Sequence, residues 1–543
     1  MPGNHPAVRR TPAARRRVAS TPSVLVTLDP GRQVPLHQQV YADIRDAILS
    51  GRIAARAQLP SSRLLAGELG ISRTTVSLAF DQLRAEGYLE TRERGGTFVA
   101  ATIPDRALSA ARRPAARPSP RPAARPAPAA PALGPSRRGI ALSALTTPAM
   151  AVSSHPARAF RTGIPALDAF PHSVWGHISA RLWRRAPRTL LAYGAPNGYE
   201  PLRRAIAHYI QMSRAVRCTA EQVIIVGGSQ EALYLSAQLL VEPGDAAWIE
   251  DPGYAGARNA LAAAGARIVG VPLDDEGLDV AHGRRLAPHA RLAYITPSHQ
   301  YPLGVTMSIG RRLAMLDWAR QSGAWILEDD YDSEFRYTSR PLPSLQGLEA
   351  EDNARDGRVI YIGSFSKTLF PSLRIGFLVV PSMLVDTFGA ARAVLDRQSP
   401  TVEQAVLAEF IAAGHFARHV RRMRALYAER QDALLRAAHD GPLAEHVQTI
   451  AADAGMHLVA WLRHIRDDMH ASACALDAGV EAPSLSAKCL SSNQPAALLL
   501  GYAGFTPQTL AKASERLAVA LQVARKRPHK RTNAPVAGTG HHT

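Results

Sequence analysis

Apolar residues recur along this chain with two different periods, and the point where the period changes divides it. From Pro35 to Gly51, PLHQQVYADIRDAILSG sets Leu36, Val40, Ile44, Ala47 and Ile48 on one helical face and stops at glycine. In Leu59-Pro60-Ser61-Ser62-Arg63, either Ser62 or Ser61 can cap a second helix carrying Leu64, Leu65 and Leu69, and Gly70 permits the sharp turn that follows. Ser72 is a good cap for a third helix, in which Val76, Phe80 and Leu83 bury one side while Arg73, Thr74, Thr75 and Ser77 face outward. Tyr88 to Val99 then reads as a hairpin whose Gly95-Gly96 tip is flanked by Arg92 and Arg94. From about residue 155 to 525 the pattern changes. Short apolar runs (VIIVGG, AAWIED, ARIVGV, LAYITP, AWILED and VIYIGS) alternate with longer amphipathic stretches, which predicts an α/β fold with a mostly parallel sheet. No internal repeat is present.

Composition sharpens the boundaries. Residues 1 to about 20 and 104 to 138 are rich in Arg, Ala and Pro without an apolar period, so both are expected to be disordered. The second would form a stiff spacer of roughly 3 Å per residue. The expected division is a basic arm over 1–22, a winged helix-turn-helix over 23–102, a linker over 103–152, a large α/β domain over 153–526 and a basic tail over 527–543. Of the formal charge of +19, residues 1 to 150 supply +13 through 22 Arg against 9 acidic residues, and Arg525 to Arg531 forms a second basic cluster. Positive charge gathered in this way suits a polyanion such as double-stranded DNA. No apolar run is long enough to span a bilayer, and no secretory leader is visible, so a cytoplasmic location is expected. Cys218, Cys474 and Cys489 show no metal-ligand spacing and read as buried small apolar residues; no metal site is expected.

Two strings carry candidate chemistry. In the third helix, small hydroxyls and an arginine at an exposed N-terminus suit the DNA major groove, where Arg can read guanine. In the body, Tyr361-Ile-Gly-Ser-Phe-Ser-Lys-Thr-Leu-Phe-Pro-Ser-Leu-Arg374 places Lys367 just beyond a strand, among the anion ligands Ser364, Ser366 and Arg374. An amine so placed suits an aldehyde bearing a phosphate: Lys367 would form a Schiff base, and the other three would hold the phosphate. Gly228, Ser229 and Gln230 follow the VIIV strand and open a helix, so their N–H groups can cradle the same phosphate. Trp325 to Glu334 ends a strand in carboxylates, one of which can pair with a protonated pyridine nitrogen; Asp329 is preferred, with neighbouring Asp330 left as the alternative. Tyr331 would reach the cofactor's phenolic oxygen, and Tyr254 offers a ring to stack on the pyridine.

The segment LPSSRLLAGELGISRTTVSLAFDQLRAEGYLETRERGGTFV resembles the GntR family of bacterial regulators, which implies DNA contact by Arg63, Ser72, Arg73, Thr74, Thr75, Gly95 and Gly96. From about Phe160 to Ala524 the chain resembles fold-type-I aminotransferases, with Thr296 to Gly304 similar to their Asn-Pro-x-Gly loop. The fusion of the two resembles the MocR subfamily. That resemblance implies pyridoxal 5'-phosphate, a homodimer of head-to-tail type, and an amino acid, amine or vitamin-B6 compound as effector. Two positions depart from the aminotransferase pattern. Tyr301 stands where ordinary aminotransferases place asparagine. Ala496-Ala-Leu-Leu-Leu-Gly-Tyr-Ala503 lacks the arginine that clamps a substrate carboxylate, and no Arg lies between Ser491 and Ala511. Leucine cannot replace a bidentate clamp. The reading is a regulator, the alternative a catalytic aminotransferase with an appended winged helix. Residual transaminase chemistry is compatible with either.

Overall fold

A computed structural model of the protein describes residues 26–29, 31, 34–92, 96–102, 134–145, 157–337, 342–349, 357–491 and 494–526. The basic arm, most of the linker, the tail from residue 527 and Gly95 lie outside them. The chain divides into two compact units, Met1–Ala132 and Leu133–Thr543.

In the first unit, α1 (Leu36–Leu49), α2 (Ser62–Leu69) and α3 (Arg73–Ala85) precede a two-stranded hairpin, β1 (Leu89–Arg92) and β2 (Gly96–Val99). Ser61, not Ser62, caps α2, accepting from Leu64 N–H. Ser72 caps α3, accepting from Thr75 N–H. Val40, Ile44, Ile48, Leu65, Val76, Phe80, Leu83 and Val99 share one core. Leu36 and Leu64, expected on buried faces, are exposed, because each lies in the first turn of its helix, clear of the core.

The second unit is built on an eight-stranded sheet ordered β3-β10-β9-β8-β7-β4-β5-β6. Its strands are β3 (Val223–Val226), β4 (Ala246–Asp251), β5 (Arg267–Asp274), β6 (Gly277–Leu278), β7 (Leu292–Ile295), β8 (Trp325–Asp330), β9 (Val359–Ser364) and β10 (Gly376–Val379). The run β9-β8-β7-β4-β5 is parallel, while β10 inserts antiparallel between β3 and β9 and β6 folds back on β5. Burial on both faces explains why these strands are continuously apolar rather than alternating. Strand β10 (GFLV) was not anticipated. A second sheet, β11 (Val447–Thr449), β12 (His457–Leu462) and β13 (Ala497–Gly501), is antiparallel and packs on a long C-terminal helix, Pro507–Lys526.

Two expectations need correction. Inside the segment read as linker over 103–152, and mostly beyond the 104–138 stretch expected to be extended, Ser136 caps a helix, Arg137–Ala144; Arg138 donates to Gln238 and Asn259 donates to Leu145 O, contacts that tie it to the rest of its unit. Of the three cysteines only Cys218 is buried, because Cys474 lies beside the packed face of its helix and Cys489 follows a single 3-10 turn.

Candidate functional site

Parallel strands deliver their loops to one edge of a sheet, and ligand sites of open α/β sheets form there. Gly228, Tyr254, Tyr301, Asp329, Tyr331 and Lys367 follow or end β3, β4, β7, β8 and β9 at that carboxyl edge. Ser229, Tyr254, Asp329, Tyr331 and Lys367 line one cavity of about 240 Å³, together with Gly163, Tyr294, Asp332 and His457.

Lys367 is half-buried, and its Nζ donates to Gly163 O at 2.8 Å. Burial pushes the ammonium down, partly offset by the Asp332 and Asp329 carboxylates. This bias toward a neutral amine is what a nucleophile for an aldehyde requires. The backbone at residue 163 comes so close that a Cβ there would sit 2.6 Å from Nζ. Sequence reasoning missed Gly163, which is far from Lys367 along the chain and carries no side chain to flag it.

The choice between Asp329 and Asp330 follows from the two-residue period of a strand. On β8, Glu328 and Asp330 face away from the cavity. Glu328 accepts from the Leu345 and Gln346 amides, and Asp330 pairs with Arg214 at 2.7 Å and accepts from Tyr361. Asp329 faces the cavity, where Oδ2 accepts from Tyr294 at 2.9 Å and Oδ1 is buried without a hydrogen-bond partner. Burial pushes this carboxyl up to about 7, against the lowering effect of the Tyr294 hydroxyl. A buried carboxylate oxygen lacking a donor is costly, and a protonated ring nitrogen would supply one.

The opposite side suits an anion. Gly228 (φ 111) turns the chain into the helix Ser229–Leu240, and a Cβ on Gly228 would lie 3.1 Å from the Arg374 guanidinium. Helix N-termini present unpaired N–H groups, and here Ser229 and Gln230 provide them. Gln230 contributes backbone only, since its side chain donates to Gly256 O. Ser364 accepts from Ser366 N–H at 3.2 Å, folding the loop so that Arg374, Ser364 and the helix start converge. The residues therefore fit a phosphorylated pyridine aldehyde.

The remaining wall is aromatic and imidazole. Tyr254 meets Tyr301 edge to face at 5.9 Å, and Tyr301 meets Tyr331 likewise at 6.2 Å. The Tyr331 hydroxyl lies 3.0 Å from His299 Nδ1, which also sits 3.0 Å from buried Asp332. His457 Nε2 donates to Pro302 O at 2.9 Å, and burial pushes this imidazole down to about 4, so it is neutral. Neither the His299–Asp332 pair nor His457 had been anticipated. The SHQYP string held a histidine whose partner lies beyond another strand, and His457 opens a strand of the second sheet.

In the first unit, Arg63, Ser72, Arg73 and Thr74 are exposed and Thr75 is half-exposed. The hydroxyls of Ser72 and Thr75 lie 2.8 Å apart, so Ser72 serves first as a cap. Gly96 pairs with Arg92 at the closed end of the hairpin. Among the described residues no cluster of metal-ligating side chains occurs, and no helix is long and apolar enough to cross a membrane.

Residues 36–99 match the family model for bacterial regulatory proteins of the gntR family, and residues 166–517 match that for aminotransferase class I and II, which implies pyridoxal phosphate. The chain is 42% identical over 487 residues to the Rhizobium meliloti protein named "Probable rhizopine catabolism regulatory protein MocR", covering 90% of this chain and 94% of that one. It is 36% identical to the HTH-type transcriptional regulator TauR of Rhodobacter capsulatus, covering 77% and 82%. Among solved structures, LysN, an alpha-aminoadipate aminotransferase of Thermus thermophilus complexed with N-(5'-phosphopyridoxyl)-L-leucine, superposes with a TM-score of 0.61 at 29% identity, covering 68% of this chain and 92% of that one.

Proposed function

This chain belongs to the MocR subfamily of GntR-type bacterial transcriptional regulators, and from that premise we propose that its aminotransferase-like body binds pyridoxal 5'-phosphate and uses it to sense an amino compound or B6 vitamer. The observation that carries the proposal is Asp329 Oδ1, a buried acceptor without a donor, on the wall of the cavity that Lys367 and the helix-starting Ser229 also line. Lys367 would hold the aldehyde carbon, Asp329 the ring nitrogen, and Gly228, Ser229, Gln230, Ser364, Ser366 and Arg374 the phosphate. Tyr254 and Tyr331 would face the ring and its phenolic oxygen. Bound there, pyridoxal phosphate supplies an aldehyde that reversibly captures primary amines.

The protein's own groups set the conditions. Burial keeps Lys367 biased to the neutral amine, and Asp329 would accept a hydrogen bond from a protonated ring nitrogen. We assign DNA contact to residues 23–102, through Arg63, Arg73, Thr74 and Thr75 with Ser72 and the Gly95-Gly96 turn, and effector binding to residues 153–526, in the cytoplasm. The subfamily's head-to-tail homodimer is part of the proposal. Self-association through the body is supported by exposed apolar Leu191, Tyr193, Val394 and Leu395, near in sequence to the Arg397–Tyr193 ring contact and of the kind that marks an interface.

The absorbance spectrum of the purified chain, followed by borohydride reduction and peptide mapping, tests the reading. The expected result is a cofactor band fixed to Lys367 on reduction. Attachment at another lysine, or no band on reconstitution, would overturn it. Repeated turnover of an amino donor and a keto acceptor, with DNA binding indifferent to both, would favour the catalytic alternative.

A further inference from the structure

Once a cofactor occupies Lys367, Asp329 and Tyr331, the polar side chains left on the cavity wall include Asp332 and His457, with His299 behind Asp332. Asp332 is 1% exposed and lines the cavity, and its carboxylate accepts a hydrogen bond from His299 Nδ1–H. A carboxylate can only accept, and several lone pairs remain after one imidazole is satisfied. His457 presents the same polarity for a different reason. Its Nε2 lies 2.9 Å from a carbonyl, which cannot donate, so Nε2 carries the proton and Nδ1 is left as an acceptor. Burial holds this imidazole neutral, so it supplies no positive charge to the cavity. The one described cationic side chain on the cavity wall is Lys367, which the cofactor would occupy. Arg161, next to the wall residue Thr162, is directed to Glu481 at 3.6 Å although its charge still reaches Lys367, and Arg374 stands over Gly228.

Two acceptors, one of them a buried carboxylate, form a poor receptor for an anion. An unpaired carboxylate beside them would lose its water and meet repulsion from Asp332. Hydroxyl and ammonium groups would instead donate to both. Resting on the reading of this cavity as the cofactor and effector site, we propose that the effector is a primary amine bearing hydroxyl groups and no carboxylate, held by its donors against Asp332 and His457 Nδ1. The polarity of these two residues would then set effector specificity.

The pair 2-amino-1,3-propanediol and L-serine isolates this claim, because they differ by a hydroxymethyl in place of a carboxylate. Each is titrated into the full-length, cofactor-loaded protein while the cofactor band is followed. The diol is expected to perturb the band at about tenfold lower concentration than serine. In Asp332→Asn, which keeps shape and removes the charge, the preference should shrink to about threefold or less. His457→Phe, which removes the acceptor without touching Asp332, should shrink it as well, and it keeps the test open if the Asp332 variant fails to fold. Serine acting at equal or lower concentration than the diol, with a normal band in the wild-type protein, would overturn the effector class while leaving the cofactor reading intact. A preference unchanged in both variants would overturn the roles of the two residues. Absence of the band itself would overturn both readings together.

Discussion

Arg63, Arg73 and Thr74 of the head stand exposed at the start of two short helices, whereas Asp329, Asp332 and His457 of the body are buried around a cavity. The same kinds of polar group are put to opposite use. Exposed cations and hydroxyls keep their hydration until DNA displaces it, so their contribution is contact by contact and screened by salt. Buried groups have lost their water already. Their protonation and partners are fixed by the fold, so each change propagates through a network. Substitutions in the head should thus be graded and local, and those in the body large and coupled.

The largest effect should come from Lys367→Ala, which is expected to abolish the cofactor band and every effector response while leaving the melting of the head unchanged; a residual band would break the comparison at its strongest point. Next, Asp329→Ala removes the partner of the ring nitrogen and should weaken cofactor retention by about 1.5 to 3 kcal/mol, the range for a hydrogen bond to a charged group, as read by dialysis against limiting cofactor. In the head, Arg73→Ala should cost about 1 to 3 kcal/mol of affinity for its specific site if that side chain reads a base, with the cofactor band untouched. Equal binding of wild type to specific and random DNA would remove this assignment.

Proton linkage sharpens the contrast further. Burial pushes Asp329 up to about 7, so the folded chain without cofactor holds a proton that the unfolded chain releases near 4. The stabilisation is present at low pH and is lost as pH rises through about 7. The melting temperature of Asp329→Asn minus that of the cofactor-free wild type should therefore increase from about pH 5 to about pH 8. A flat difference would place this carboxyl in contact with water. The smallest effect belongs to the head, where Ser61→Ala deletes one helix cap and should cost about 1 kcal/mol of its stability, measured by denaturant unfolding.

Legibility differed between the two regions for the same physical reason. The head's functional residues are contiguous, and caps, glycine turns and apolar spacing act over three or four residues, so Ser72, Gly70 and the face of α3 could be read directly. In the body, Lys367, Arg374 and the glycine turn were legible because each sits in a local string whose composition makes no sense as packing alone. Asp329 was separable from Asp330 only by strand alternation, which needs the face that β8 turns to the cavity. Gly163, Tyr294 and His457 come from three distant segments with nothing local to distinguish them from core residues, and Asp332, although inside the carboxylate string that includes Asp329, owes its role to His299 beyond another strand. The helix Arg137–Ala144 shows the converse limit, since its order depends on Gln238 and Asn259, partners about a hundred residues away.

An effector can regulate DNA binding only if the body's chemistry and the head's DNA binding are one equilibrium. The direct test is to titrate the full-length, cofactor-loaded protein with the effective amine while recording the cofactor band and the affinity for its own upstream DNA in the same samples. Linkage requires the two signals to move with a common midpoint, and requires DNA to shift the amine's apparent affinity by the same factor. A band that responds fully while DNA affinity stays constant would contradict the account.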